Sequence, residues 1–441
     1  MKKYIKRIIA MVIAVIMFIA IAQGLRYILV DDTTSYTRIM MHEMYESEQN
    51  IDIAFVGSSH VYRSIVPQLM DEGFGCYTFN AGTSSQFMDG SLALIKEITN
   101  RNDVKQIYLE LYYGVADGTD YSKRTKMTST YIISDYMKPS FRKVSYLLHA
   151  SSKDYWINSF VLARRNWTIF FNPDKVKDLI IKKSQNSYKN YEWIRKDGDM
   201  EYYVDRGFVA NDNVIGNDIF TNNAAYGKIP AVNVESDWYK SLESIVNYCE
   251  KQGIELIFFI APEPEWTIAG KQNYQEYHNG IKAIADDKGV AFYDFNLCRN
   301  NYFDTNDRAM FMDEDHLNTT GAYAFSTLFC KFFTGQIRED DLFYDSFQDK
   351  LNEEDPYVYG VAGPKSDAST GEKNYYIIAN RNSGIYYQIV AKPNEGEQRY
   401  IQDFDKNRVF SLPADETGVI EITWYSENNA GDIRVMQIEY K

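Results

Sequence analysis

The chain has 441 residues, a formal net charge of −14, four cysteines and five histidines. That length allows two or three domains around cores that need no covalent staples, and the acidic balance excludes nucleic acid and other polyanions as partners held by bulk charge. Cys76, Cys249, Cys298 and Cys330 are widely spaced with no CxxC pair, so they read as buried thiols, and neither a metal nor a cofactor is expected. The 36 tyrosines read chiefly as amphipathic core and rim residues, with sugar stacking as the rarer use.

The first element is a membrane signal. Lys2, Lys3, Lys6 and Arg7 precede an apolar run over 8–22 that residues 24–30 extend, with Arg26 placed to snorkel. About 20 apolar residues cross ~30 Å of hydrocarbon, and basic before apolar keeps the N-terminus inside. Residues 1–30 are therefore expected to form a single-pass signal anchor in the cytoplasmic membrane, with the bulk of the chain extracytoplasmic. A cleaved signal peptide is the competing reading, because Ala20-Ile21-Ala22 has the small-x-small form of a cleavage site.

Residues 33–49 have helical spacing. Strand and helix then alternate, with strands expected at 51–56, 76–80 and 105–111 and helices at 65–71 and 86–99. The rhythm breaks over about 114–234, a Tyr-rich insertion with helices expected at 141–148 and 156–171 and a polar loop at 211–223. It resumes with a helix at 238–252 stopped by Gly253, a strand at 254–261, a helix at 275–288, a short strand at 290–294 and a helix at 319–333. Such alternation calls for a parallel sheet with helices on both faces, joined by right-handed crossovers. Residues 31–340 thus read as one α/β domain and 341–370, rich in Asp, Glu, Ser and Gly, as a linker. Residues 371–441 carry short alternating runs punctuated by turns such as 382–384 and 428–431, the pattern of a small antiparallel β domain, a β-sandwich.

The chemistry starts from Ile51-Asp52-Ile53-Ala54-Phe55-Val56-Gly57-Ser58-Ser59-His60. A strand buried on both faces is a continuous apolar run, and glycine at its end permits the tight turn into a helix. Ser59 would stand at that turn, in the crevice where open α/β sheets bind ligands, as a candidate nucleophile. A helix N-cap is the plainer use of a Gly-Ser-Ser turn. A nucleophilic serine needs a base held by a carboxylate. Of the five histidines, only His316 follows an aspartate by three, Asp313, in a loop expected on the same sheet edge. At that spacing in a turn the carboxylate can fold back onto one imidazole nitrogen and leave the other for the serine proton. Asp315 is the rival carboxylate, but adjacent side chains do not readily face each other. His60 is expected to point away from the crevice or to shape the turn. Gly82, in Phe79-Asn80-Ala81-Gly82-Thr83-Ser84-Ser85-Gln86, could bring its N–H to a developing oxyanion, with Ser84 or Ser85 capping the helix that follows.

These three blocks, in this order, resemble the SGNH (GDSL-like) hydrolase superfamily over about 51–114 and 234–335. The resemblance implies a flavodoxin-like three-layer sandwich with a parallel sheet, a triad of Ser59, His316 and Asp313, and an oxyanion hole from Gly82 and the Ser59 backbone. The anchor and the Asn-x-Gly-x-Ser-Ser-Gln block are most similar to the extracytoplasmic branch, which includes the D-alanyl transfer protein of teichoic acid synthesis and alginate-type O-acetyltransferases. The family's third block carries an asparagine where this chain has Glu110-Leu111-Tyr112-Tyr113-Gly114, so a further donor must be the Ser59 N–H, a tyrosine hydroxyl or another group. The implied activity is a membrane-anchored serine acyltransferase or esterase. It would act on an O-acyl group of a cell-surface glycan or glycolipid, with a membrane O-acyltransferase as a possible partner. The alternative is a catalytically degenerate relative that binds glycan or assists polysaccharide assembly.

Overall fold

The computed structural model describes residues 2–116, 120–125, 127–216, 227–353, 355–367, 369–381 and 383–440. Residues 217–223 of the expected polar loop, and Asn382 of the expected turn, lie outside them. The chain opens with one helix, Lys2–Leu29, whose stretch Tyr4–Leu29 is long and apolar enough to cross a membrane. Its 26 residues extend about 39 Å at ~1.5 Å per residue, and the side chains over 4–21 are exposed.

Among the described residues, seven strands precede the C-terminal region: β1 (Ile53–Gly57), β2 (Thr78–Gly82), β3 (Gln106–Glu110), β4 (Glu201–Tyr203), β5 (Val209–Asn211), β6 (Glu255–Ile260) and β7 (Ala291–Asp294). Five of them form a sheet in the order β2-β1-β3-β6-β7, and every pair in it is parallel. β1 is buried along its whole length, which is why its sequence does not alternate. Ala54 and Val56 face a core shared with the helices Tyr36–Glu46, Met88–Thr99, Asp237–Gln252 and Tyr274–Lys288. Ile53 and Phe55 face a second core, built with Pro67–Phe74 and Thr319–Phe333. The result is three layers, helix over sheet over helix. Chain direction across the sheet reverses at β1, so the crevice beyond the carboxyl ends of β1 and β3 is the topological switch point. Gly253 and Gly289 end their helices in the left-handed conformation, with φ of 69° and 65°, the C-cap that only glycine adopts without strain.

Several expectations need correction. The helix expected at 156–171 is broken into Trp156–Phe160, Leu162–Arg165 and a 3₁₀ turn Trp167–Phe171. Val161 and Asn166, poor helix formers, leave the helical region at the joints, with φ of −117° and −114°. The insertion also holds the β4–β5 hairpin, whose three-residue strands are too short to show a period. Residues 341–370 are not a linker. They contain the helix Phe347–Glu353 and the strand β8 (Val358–Asp367), hidden by a polar composition in which, among the described residues before the strand, the buried side chains are Leu342, Phe347, Lys350 and Leu351.

β8 begins an antiparallel region completed by β9 (Glu372–Ala379), β10 (Ile385–Pro393), β11 (Arg399–Asp405), β12 (Val409–Pro413), β13 (Gly418–Ser426) and β14 (Asn429–Tyr440). Two sheets, β12-β9-β8 and β11-β10-β13-β14, enclose one apolar core that includes Val361, Ile377, Ile389 and Trp424. β11, an exposed edge strand, has no apolar alternation and was not expected. A buried polar junction ties this region to the α/β part. The Tyr359 hydroxyl donates to Glu265, and Lys350 Nζ lies 3.6 Å from the same carboxylate and donates to Thr305 at 2.8 Å. Cys249, Cys298 and Cys330 are buried free thiols, whereas Cys76 is only half-buried.

Candidate active site

β1 delivers the turn at which the site is built. Gly57 has no room for a side chain, since a Cβ there would sit 2.6 Å from both Glu110 Oε2 and Val61 Cγ2. The two serines that follow divide the roles open to them. Ser58 is the N-cap of the short helix Ser59–Ser64, its hydroxyl accepting from the His60 N–H, so the capping function of the Gly-Ser-Ser turn falls to Ser58. Ser59 is the first helical residue, half-buried, and is left with its hydroxyl facing the crevice.

The His316 loop lies between β7 and the helix Thr319–Phe333. The turn is closed by an antiparallel bridge between Phe311 and Leu317 and by the Met312 N–H donating to the His316 carbonyl at 3.0 Å. Asn318 locks its exit, capping the helix Thr319–Phe333 through the Gly321 N–H and donating to the Ala309 carbonyl at 2.7 Å. Within the turn Asp313 Oδ1 accepts the backbone N–H groups of Asp315 and His316, both at 2.8 Å. The same carboxylate meets His316 Nδ1 at 3.0 and 3.1 Å. His316 Nε2 then lies 2.8 Å from Ser59 Oγ. Residues 257 apart in sequence are thus brought into one hydrogen-bonded line, Asp313 to His316 to Ser59, and the carboxylate on the imidazole is Asp313 rather than Asp315. Burial pushes the Asp313 carboxyl up, but the hydrogen bonds from His316 and the two backbone N–H groups outweigh it and hold the group down at about 2.

His60 does shape the turn, through its Nδ1 contact of 3.2 Å with Ser58 Oγ, but it does not point away. Its ring lies between Tyr112, at 3.9 Å between centroids, and His316, at 4.6 Å. Full burial, followed by the proximity of His316, drives its pKa well below the ordinary histidine range. A neutral ring therefore backs His316, and no second cation opposes a proton arriving there.

Gly82 stands level with Gly57 in the β1–β2 ladder, as the order of blocks implies, but its N–H is donated to Asn80 Oδ1 at 3.0 Å. This corrects the assignment of Gly82 as an oxyanion donor. What the position requires is the absence of a Cβ, which would fall 2.8 Å from the Tyr62 nitrogen and 2.9 Å from the Ser58 carbonyl. Asn80 is fully satisfied, its Nδ2 donating to the carbonyls of Val61 and Ile65 at 2.9 Å each, so it fastens the Ser59–Ser64 helix to β2. Ser84 and Ser85 do not cap the next helix, which starts at Met88 without a side-chain cap. Ser85 instead takes a left-handed φ of 49° in the preceding turn. The Ser59 N–H, by contrast, has no hydrogen-bond partner among the described residues, as befits the first N–H of a helix.

Sequence reasoning gave Glu110 no role. Its signal was a lone carboxylate ending the buried strand β3. Glu110 Oε2 accepts the Ser58 N–H at 2.9 Å, and the side chain is 2 % exposed. Burial pushes its carboxyl up to about 7, against the lowering effect of the Ser58 hydrogen bonds and of nearby His316. Relative to an ordinary value of 4.5, the folded state holds the proton more tightly than the unfolded state. Stability from this group is therefore full below about pH 4.5 and lost as pH rises through about 7. Glu110→Gln, whose amide oxygen can still accept from Ser58, is expected to remove this dependence. Its stability relative to the parent should improve by about 3 kcal/mol between about pH 4 and pH 8, as read from paired denaturation curves; parallel pH profiles would refute it.

No family model and no curated protein matches the chain. Among solved structures, a Bacteroides fragilis protein described as a "putative acylhydrolase" aligns with 68 % of this chain and 95 % of its own, at 9 % identity and a TM-score of 0.30. A likeness of that size bears on neither fold nor chemistry, and the functional reading rests on the site itself.

Proposed function

We propose that the protein is a membrane-anchored serine esterase or acyltransferase acting on O-acyl groups of an extracytoplasmic glycan or glycolipid. The observation that carries this reading is the contact of 2.8 Å between Ser59 Oγ and His316 Nε2, with Asp313 on the far ring nitrogen. Ser59 Oγ attacks the acyl carbonyl and passes its proton to His316 Nε2. Oxygen and carbon bond, and the carbonyl electrons move to an oxyanion that the Ser59 N–H is positioned to receive. Collapse of that intermediate expels the leaving oxygen or sulfur, which takes the proton from His316. Water or a sugar hydroxyl then repeats the sequence on the acyl-serine, releasing an acid or forming a new ester. Asp313 keeps the Nδ1–H tautomer and steadies the imidazolium.

The helix Tyr4–Leu29 serves in this reading as the anchor, placing the crevice outside the membrane. An acyl donor handed over by a membrane O-acyltransferase would favour transfer over hydrolysis. The second reading, a glycan-binding protein with an inactive core, draws on the Gly82 N–H being taken by Asn80 and on the missing asparagine after β3. A serine-directed phosphonate separates the two. The expected result is a stoichiometric adduct on the peptide containing Ser59; folded protein with no adduct there supports the binding reading.

A further inference from the structure

The insertion carries large apolar side chains that are left largely exposed. Trp167, Phe170 and Phe171 are 56, 63 and 70 % exposed, and Ile157, Ile180 and Ile181 are exposed as well. An apolar surface of this kind marks a contact site rather than a water-facing rim. Its place in the fold says what the contact is. Leu162–Arg165, Trp167–Phe171 and Pro173–Ser184 all pack against the N-terminal helix. Ile28 of that helix shares an open apolar hollow with Phe170, Val176, Ile180 and Ile181, so the patch continues the helix's own apolar face. Charge points the same way: residues 156–184 expose Arg164, Lys175, Lys177 and Lys182 against Asp174 and Asp178, in a chain whose net charge is −14.

The patch is also held rigidly to the end of the helix. Lys183, 1 % exposed, pairs with Asp32 at 2.8 Å and donates to the Val30 carbonyl. Arg26 Nη2 donates to the Asp135 carbonyl at 2.9 Å, and Asp135 pairs with Arg165 at 2.6 Å. Residues 156–184 are therefore tethered close to the level at which the helix leaves the bilayer.

We propose that residues 156–184 are a second membrane contact, a surface lying in the headgroup layer of an anionic bilayer beside the N-terminal helix. Aromatic and aliphatic side chains enter the acyl boundary there, and the exposed Arg164, Lys175, Lys177 and Lys182 meet lipid phosphates, the division of labour of an interfacial amphipathic segment. The inference rests on the anchor reading above and adds a fixed height and tilt for the crevice over the membrane.

The test uses the full chain with Cys76→Ser, reconstituted in nanodiscs with or without phosphatidylglycerol. One nitroxide label is placed at Ile16→Cys, Phe171→Cys or the exposed Glu397→Cys. Labels at 16 and 171 are expected to collide with lipid-soluble oxygen several-fold more than with a water-soluble nickel chelate, and the label at 397 the reverse. Removing the anionic lipid should shift position 171 toward water and leave 16 unchanged. A label at 171 that behaves as 397 does, while 16 remains in lipid, overturns the proposal and assigns the patch to a protein partner or a second copy. Insensitivity of 171 to lipid charge overturns the anionic preference. A water-exposed label at 16 removes the anchor reading and this inference with it.

Discussion

Ser59→Ala is expected to lower kcat for ester turnover by about 10⁴-fold or more and to abolish phosphonate labelling, with the fold intact. The hydroxyl is half-buried and its hydrogen bond is to His316, so its loss costs about 1 kcal/mol of stability. The turn survives the change. The cap is made by Ser58, the close approach to Glu110 is made by Gly57, and Asn80 still holds the helix through Val61 and Ile65. The measurement is turnover of an activated acetate ester and of an O-acetylated glycan, with the melting curve as the control. A folded Ser59→Ala protein within a few-fold of the parent would remove Ser59 from the mechanism.

The layered α/β architecture was legible because burial writes itself into the sequence. An apolar run without alternation, closed by glycine, is what a doubly covered parallel strand requires, and Gly253 and Gly289 stop helices where only a left-handed residue fits. The meeting of Ser59 with His316 was legible for a topological reason, since both follow strands and strand ends share one edge. What escaped was whatever depends on the direction of a single bond. No pattern distinguishes a Gly82 N–H aimed into the crevice from one taken by Asn80, two residues earlier. His60 is polar, and its position between Tyr112 and His316 is decided by packing across the crevice rather than by its neighbours in sequence. β8 and β11 were missed because one lies in a polar stretch and the other is an exposed edge strand, where the inward-outward contrast that reveals strands is weakest.

The same site assigns the Asp313 carboxylate a role that can be isolated. Asp313→Asn retains an oxygen to accept the N–H groups of Asp315 and His316, so the loop between the Phe311–Leu317 bridge and the Asn318 cap is expected to keep its shape. The amide nitrogen, however, is a donor, and placed against Nδ1 it favours the tautomer whose proton sits on Nε2. That nitrogen then faces Ser59 Oγ carrying a proton of its own and cannot accept another. The expected consequence is a fall in kcat of about 10⁴-fold, with KM changed little and labelling of Ser59 slowed in proportion. In the parent, with the carboxyl held at about 2 against an ordinary 3.8, the group stays ionised through the neutral range. The stability it contributes is complete above about pH 4 and is lost as pH falls through about 2, so its titration cannot shape activity near neutrality. An Asp313→Asn enzyme within tenfold of the parent would show that orienting the imidazole falls to another group, and Asp315→Asn measured alongside identifies whether it is the neighbouring carboxylate.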